Sequence, residues 1–229
     1  MRPVVWSASS VNTYMDCHLK WYFTYVAALP SEASEPQKVG IAVHDYAEKV
    51  LKVGGYIAFD PEIEPLVEVF HNDILPTYGD AVLIEAPFQI EVNGIPFSGV
   101  IDSVDKREVS WDEILILRDL KTTGSRPAAG KYRLAMTGYW LGATDLGFPP
   151  DAMQLDYIVR TKKPYYWPEL MEPVEEYDIA TFAATLQSAA DGVQRADYQP
   201  TALGTRSCLY CGHRASCGPH QRYAEVAGD

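Results

Sequence analysis

The chain has no apolar run near the roughly 18 residues that a membrane-spanning helix needs. Its N-terminus also lacks the charged-then-apolar pattern of a secretory leader. No membrane partner is therefore expected, and the expected compartment is the cytoplasm. There is no internal repeat, which argues against a solenoid or propeller, and no low-complexity stretch or linker long enough to divide domains. Basic residues are few: 19 Lys and Arg stand against 31 Asp and Glu, a formal net charge of −12. That balance argues against a general nucleic-acid coat protein. It leaves room for an enzyme with a local basic groove, because acidic metal ligands themselves lower the net charge. Cysteine is scarce too, at four residues. In a cytosolic chain so few are more often metal ligands or core residues than disulfides.

What is present is ample core material. The 229 residues are 47% hydrophobic and 12% aromatic, enough for one domain of generous size. The segment Ser7 to Ala28 opens on Ser and Asn capping candidates and carries Tyr14, Trp21 and Tyr25 at helical spacing, which predicts one helix. Leu29 to Gln37, rich in Pro, Ser and Glu, reads as a loop. Val39 to Val53 reads as a second helix stopped by Gly54 and Gly55, and a third begins near Pro61. The period then changes: Val82–Val92, Ile95–Lys106 and Glu113–Leu120 are β-rich, with the hairpin dipeptide Asn93-Gly94 joining the first two. A helix from about Pro127 to Leu146, a strand from Met153 to Arg160 and a helix from Ile179 to Ala196 follow. This order predicts an α/β fold: a mixed central sheet flanked by helices.

With Ser110 and Trp111 as the turn centre of the second hairpin, paired residues carry numbers that sum to about 221. Asp102 then faces Asp119, with Cβ atoms roughly 5 Å apart, and Lys121 points to the same face. A one-residue slip would send Asp119 to the other face. Two opposed aspartates inside apolar strands are costly without compensation. A hard divalent cation such as Mg²⁺ or Mn²⁺ supplies it, and the adjacent lysine can stabilise charge as a phosphodiester is attacked. The plainer alternative is a surface Asp–Lys salt bridge on an edge strand. On the second helix Gly40, His44 and Glu48 recur at four-residue steps and line one face. There His44 is a natural third ligand, or simply a packed histidine.

Taken in order, Gly40-Ile41-Ala42-Val43-His44 through Glu48, Gly99-Val100-Ile101-Asp102, and Asp119-Leu120-Lys121-Thr122 resemble the motifs of RecB-family PD-(D/E)XK nucleases. The opening Ser7-Ala8-Ser9-Ser10-Val11-Asn12-Thr13-Tyr14 followed by Cys17 is similar to that family's first motif, so the resemblance spans about Ser7 to Cys217. It implies a restriction-endonuclease-like core. His44, Asp102, Asp119 and the Leu120 backbone carbonyl would hold Mg²⁺ or Mn²⁺, and Lys121 would be the catalytic lysine. Glu48 would orient the site from behind its ligands, or act as a helix-face partner, and Tyr139 would match the tyrosine of the last motif. One departure stands out: the glutamine that usually precedes that tyrosine by four residues is replaced by Ala135, with Gln154 distant and Arg133 chemically different.

Cys208-Leu209-Tyr210-Cys211 and then Cys217 form C-x2-C-x5-C, a strong ligand signal. Cys17 can supply a fourth thiolate if the two ends of the chain meet, a set that suits an iron–sulfur cluster. Zinc completed by His213 or His220 is the alternative, and packed free thiols are a third. The same split of one early and three late cysteines occurs in AddB-type helicase–nuclease subunits and in the iron–sulfur nuclease of CRISPR adaptation. By that resemblance the group is 4Fe-4S and structural.

The expectation from residues and resemblance together is one nuclease domain over 1–229. Its N-terminal helix, about 7–28, and the segment 201–220 would carry the cluster. Lys20, Lys38, Arg126, Lys131, Arg133, Arg160, Lys162 and Lys163, interleaved with Tyr132, Tyr165, Tyr166 and Trp167, could guide a backbone and stack unpaired bases. Equally, they could be solvated lysines beside core aromatics. The resemblance implies an exonuclease on single-stranded DNA ends. A non-catalytic DNA-end-binding accessory with a degenerate site and a zinc-stabilised interaction protein are the rivals.

Overall fold

The computed structural model describes residues 4–31, 33–109, 112–128, 130–201, 203–209 and 211–227, with the side chains of Arg206, Leu209 and 223–227 outside the description. Thus Ser110 and Trp111, the expected turn centre, and Tyr210 lie outside the described residues. Backbone contacts divide the chain into two compact units. One is built from residues 1–32, 91–97 and 181–229, and the other from 33–90 and 98–180.

The second unit holds the body of a five-stranded sheet in the order β1 (Asp80–Val92), β2 (Ile95–Val109), β3 (Asp112–Thr123), β4 (Ala152–Val159), β5 (Tyr165–Met171). The β2–β3 and β4–β5 pairs are antiparallel and β3–β4 is parallel, so the sheet is mixed, as expected for the α/β class. The Asn93-Gly94 turn has φ of 51° and 77° at its two centres, the left-handed pair that a two-residue hairpin requires. The strand β5 had no counterpart among the expected elements. Its Tyr-Tyr-Trp run is strand-like, and its Pro168 is tolerated because the strand is at the sheet edge.

The second helix begins earlier than its apolar period suggests. Helix α3 spans Glu35–Val53, and Ser34 forms a reciprocal capping box with Gln37, so the expected loop loses its last residues to the helix. The third helix is not regular. A 3₁₀ turn at Pro61–Ile63 leads into α4 (Glu64–Val69), a π turn at Phe70–Ile74 and another 3₁₀ turn at Leu75–Thr77. Residues of α3 and this segment pack with Leu120 and Ile158 into one core cluster. Side chains of successive strand residues alternate between faces. This cluster therefore covers the face bearing Leu120, while Asp119 and Lys121 lie on the other. Helix α5 is Arg133–Asp145 rather than Pro127–Leu146; residues 127–128 and 130–132 are not helical and belong to the connection that follows β3.

In the first unit the expected single helix over 7–28 is two, α1 (Ala8–Asp16) and α2 (His18–Tyr25). Cys17 between them has extended backbone, φ −155° and ψ 113°. The break has a tertiary cause: Leu19 N–H donates to Gln199 O at 3.2 Å and His18 N–H to Thr201 Oγ1 at 3.3 Å, in place of the helical ladder. Ser7 and Ser10 cap α1 reciprocally. Trp6, Tyr14 and Trp21 form the aromatic core of this unit. Helix α6 is Glu176–Gln194, followed by the short α7 (Arg206–Leu209) and α8 (Gly218–Ala227).

Candidate active site

The observed β2–β3 register runs from Ser103↔Arg118 to Val109↔Asp112, the numbering offset that hairpin geometry predicts. The ladder stops one residue short of the acidic pair. Beyond it the Asp102 carboxylate replaces the missing backbone partner, accepting from Leu120 N–H through Oδ2 at 2.9 Å. The end of the ladder is therefore held by one of the two aspartates. Helix α3 comes close to β3 here because Gly40 allows it: a Cβ there would stand 3.1 Å from Thr122 Oγ1. One turn on, His44 Nδ1 lies 3.4 Å from Asp102 Oδ2.

Asp119, on the opposite face from the apolar cluster, is 3% exposed. The Lys121 ammonium lies 2.5 Å from its Oδ2, a close ionic contact rather than an aligned hydrogen bond. Burial pushes the Asp119 carboxyl up to about 6; Lys121 opposes this and the Asp102 charge reinforces it. Burial works against the Lys121 ammonium, yet Asp119 and Asp102 outweigh it and raise the lysine. Tyr139 on α5 feels the same group: burial and then Asp119 push its phenol up to about 12.

The expected set omitted Glu85 on β1. Its carboxylate joins His44 and Asp102 in a group whose ligand atoms all lie within 4.8 Å of one another. Burial, then the charges of Asp102 and Glu48, push Glu85 up to about 7. Its φ of 45° is left-handed, which a non-glycine residue rarely adopts; the strand kinks where this carboxylate enters the site. The sequence signal was a lone acid inside the apolar run Val82–Phe88, which alternation alone places on no particular face. Glu48 lines the same cavity as His44, Glu85 and Asp102, while its own carboxylate holds Lys52 at 2.7 Å. The structure thus gathers His44, Glu85 and Asp102 most tightly, with Asp119, Lys121, Tyr139 and Glu48 around them. Asp119 is drawn toward Lys121 rather than into the tight group.

The place of the usual glutamine is not filled from elsewhere. Ala135 is 9% exposed. Arg133 is committed to Asp178 and to the Glu172 and Pro173 carbonyls. Gln154 serves a buried network on the other sheet face, donating to Asp156 Oδ1 at 2.6 Å.

In the first unit the chain ends do meet. Cys17, Cys208, Cys211 and Cys217 line one cavity with Phe23 and His220, and all four are free thiols. Burial raises the Cys217 thiol, and the proximity of Cys208, Cys211 and Cys17 adds to the shift. His220 Nδ1 is 3.3 Å from Cys208 Sγ, whereas His213 Nε2 pairs with Thr24 Oγ1 at 3.1 Å. Burial lowers the His213 pKa, with Lys20 adding to the shift.

Among the described residues no helix is long and apolar enough to cross a membrane. Comparison with curated proteins finds no match. Among solved structures, a protein of Eubacterium rectale provisionally assigned as an exonuclease superposes with a TM-score of 0.59 at 8% identity, covering 92% of this chain and 87% of that one. At that identity the likeness is one of fold. The sequence profile of the PD-(D/E)XK nuclease superfamily matches residues 5–71 and 63–218. Across nearly the whole length, and with a mixed five-stranded sheet to match, the chain belongs to the PD-(D/E)XK nuclease superfamily.

Proposed function

We propose that this nuclease is a metal-dependent deoxyribonuclease that degrades DNA from single-stranded ends. The observation that carries the reading is the convergence of His44, Glu85 and Asp102 within 4.8 Å beside the buried Asp119–Lys121 pair. Carboxylates crowded at this spacing repel one another, and two of them are held toward their neutral forms. Hard oxygen donors with one imidazole fit Mg²⁺ or Mn²⁺. His44, Asp102, Asp119 and the Leu120 carbonyl would hold the ion, with Glu85 added to that set. When bound, a divalent cation supplies Lewis-acid polarisation of the phosphate and a more acidic water.

The chain's own residues do the rest. Asp102 ties the end of β2 to Leu120 of β3 and so holds the two strands together beside the site. Asp119 anchors Lys121, whose ammonium stands where charge on a phosphoryl group under attack needs an electrostatic partner. Tyr139, kept protonated by burial and by Asp119, is a hydrogen-bond donor at the same face. Glu48 adds negative charge behind Glu85 and tightens its hold on a cation.

The four thiols converging on one cavity suit a 4Fe-4S cluster that clips the N-terminal helices to the segment 201–220 within a single nuclease domain. Their gathering at one cavity, one thiol from the N-terminal helices and three from the C-terminal segment, is what supports that reading. The Cys208–His220 contact is what speaks for zinc instead.

The test is cleavage of end-labelled single-stranded DNA with Mn²⁺ by anaerobically purified protein, beside Asp119→Ala. Degradation by the wild type alone supports both the activity and the site. Retention of the strand uncut by both proteins would point instead to an end-binding accessory, the reading that Ala135 favours.

A further inference from the structure

In a chain of net charge −12, cations without a counter-charge are informative. From Lys38 on Glu35 to Arg133 on Asp178, seven of the thirteen lysines and arginines of the sheet unit are held by a carboxylate. Among the described residues the exceptions are Lys49 on α3 and then Arg126, Lys131, Arg160, Lys162 and Lys163. The last five all come from the two segments that follow the parallel strands β3 and β4. Those strands end together: Thr123 pairs with Val159, and Arg160 N–H donates to Thr123 O at 2.7 Å. The Nε of Arg160 is buried there with no hydrogen-bond partner among the described residues.

Register ties this end to the candidate site. Lys121 pairs with Tyr157, and Tyr157 pairs with Trp167, so the three stand in one row across the sheet with side chains on one face. Two strand spacings place Trp167 about 10 Å from Lys121. The Arg126 guanidinium lies over the Trp167 ring, its Cζ 3.4 Å from the centroid. Arg126 is exposed, and among the described residues its N–H groups have no acceptor. The loop is fastened beyond it, where Gly130 N–H donates to Glu169 at 2.8 Å. A planar guanidinium held flat on an indole keeps its edge free in a fixed direction, which suits bidentate recognition of a phosphate.

We propose that Arg126, oriented by Trp167, binds a backbone phosphate of the substrate strand beside the scissile one. Arg160, Lys162 and Lys163 continue this phosphate track at the end of β4. The inference rests on the deoxyribonuclease reading and deepens it: the track is the substrate-binding surface, and Trp167 is a positioning residue that acts through Arg126. Exposed Tyr165, on the same face of β5 as Trp167, offers a ring beside the track.

The experiment is fluorescence anisotropy of a labelled oligo(dT) with the full chain in EDTA, over a range of salt. Wild type is compared with Arg126→Ala, Trp167→Ala and Lys49→Ala, and each is also assayed for cleavage with Mn²⁺. Arg126→Ala should weaken binding about fivefold or more, and should flatten the slope of log K against log salt by about 0.7, the release expected for one single-strand phosphate contact. Trp167→Ala should weaken binding while leaving that slope near the wild-type value, because the charge remains and only its orientation is lost. Lys49→Ala, an equally unpaired cation outside the track, should bind like the wild type. Wild-type affinity and slope in Arg126→Ala, or an equal loss in Lys49→Ala, would overturn the inference and leave the nuclease standing. A wild type that neither binds nor cuts DNA would overturn both. If Trp167→Ala fails to fold, Arg126→Ala alone decides, since it alters an exposed side chain.

Discussion

Adding Mn²⁺ should stabilise the protein strongly at pH 7.5 and weakly at pH 5.5, and the structure sets the size of the difference. In the metal-free chain Glu85 is pushed up to about 7 and Asp119 to about 6. Both folded values exceed those of ordinary carboxyls, so between about pH 4 and 7 the native state binds more protons than the unfolded chain. These groups therefore lower metal-free stability as pH rises through the folded values; below the unfolded values they cost nothing. A bound cation requires both carboxylates ionised, and so must displace their protons. At pH 5.5 a pKa of about 7 keeps roughly one Glu85 in thirty ionised, and a pKa of about 6 keeps roughly one Asp119 in four. At pH 7.5 both are largely ionised. The product is an upper bound of about a hundredfold in apparent affinity, and solvent screening of the partly exposed Glu85 brings it toward tenfold. With Mn²⁺ near a hundred times its dissociation constant at pH 7.5, stabilisation is about 2.7 kcal/mol, or roughly 5–10 °C in Tm for a chain of this size. At pH 5.5 the same Mn²⁺ should deliver half of that or less. Differential scanning fluorimetry with and without Mn²⁺ at the two pH values measures it. An equal shift at both, or a full shift in Asp102→Ala, would refute the placement of the cation among these acids.

Other expectations concern what holds the site in place. Asp156→Ala should cost about 3 kcal/mol in urea unfolding, because it removes the nearer counter-charge of the fully buried Arg118, whose Nε donates to Asp156 at 2.7 Å, and leaves it only Asp105 at 3.7 Å. The apolar double replacement Arg118→Met with Asp156→Leu should be milder than that single change. Gly40→Val should press on Thr122 and push α3 away from β3, weakening Mn²⁺ binding more than it lowers Tm, with partial recovery on adding Thr122→Ala. Cys211→Ser, purified without oxygen, should lose visible absorbance and iron together if the thiols hold a cluster; a colourless wild type with stoichiometric zinc would decide for the other metal.

Much of this arrangement is legible in the residues. The hairpin offset needed only the strand pattern, and it brought Asp102 and Asp119 to neighbouring positions on adjacent strands. The break at Cys17 was not legible, since the apolar period runs straight through it; the cause lies in Gln199 and Thr201, far along the chain. Glu85 was hidden for a related reason. Its role depends on a local kink at φ 45°, and an acid inside an apolar run signals a cost without naming the partner that offsets it. The early start of α3 was legible in Ser34-Glu35-Pro36-Gln37, a capping signature masked by the loop-like composition around it.

The run Leu117-Arg118-Asp119-Leu120-Lys121 shows how one strand serves two tasks. A buried strand should be apolar, yet three of these five residues carry charge. Alternation sorts them. Arg118 points to the face of the α3 cluster, where Asp156, Thr77 and the Tyr78 ring satisfy it. Asp119 and Lys121 point to the other face, where they have each other and, by the proposal above, a cation and a phosphate. The Arg118 side is satisfied within the protein, so it can fix β3 against β4 and the turn at Thr77. The Asp119 side keeps its acids partly protonated and its lysine half-buried, so its electrostatics are completed only from outside. A strand clamped on one face and unsatisfied on the other can hold reactive groups still without neutralising them, which is what a cation-dependent hydrolytic site requires.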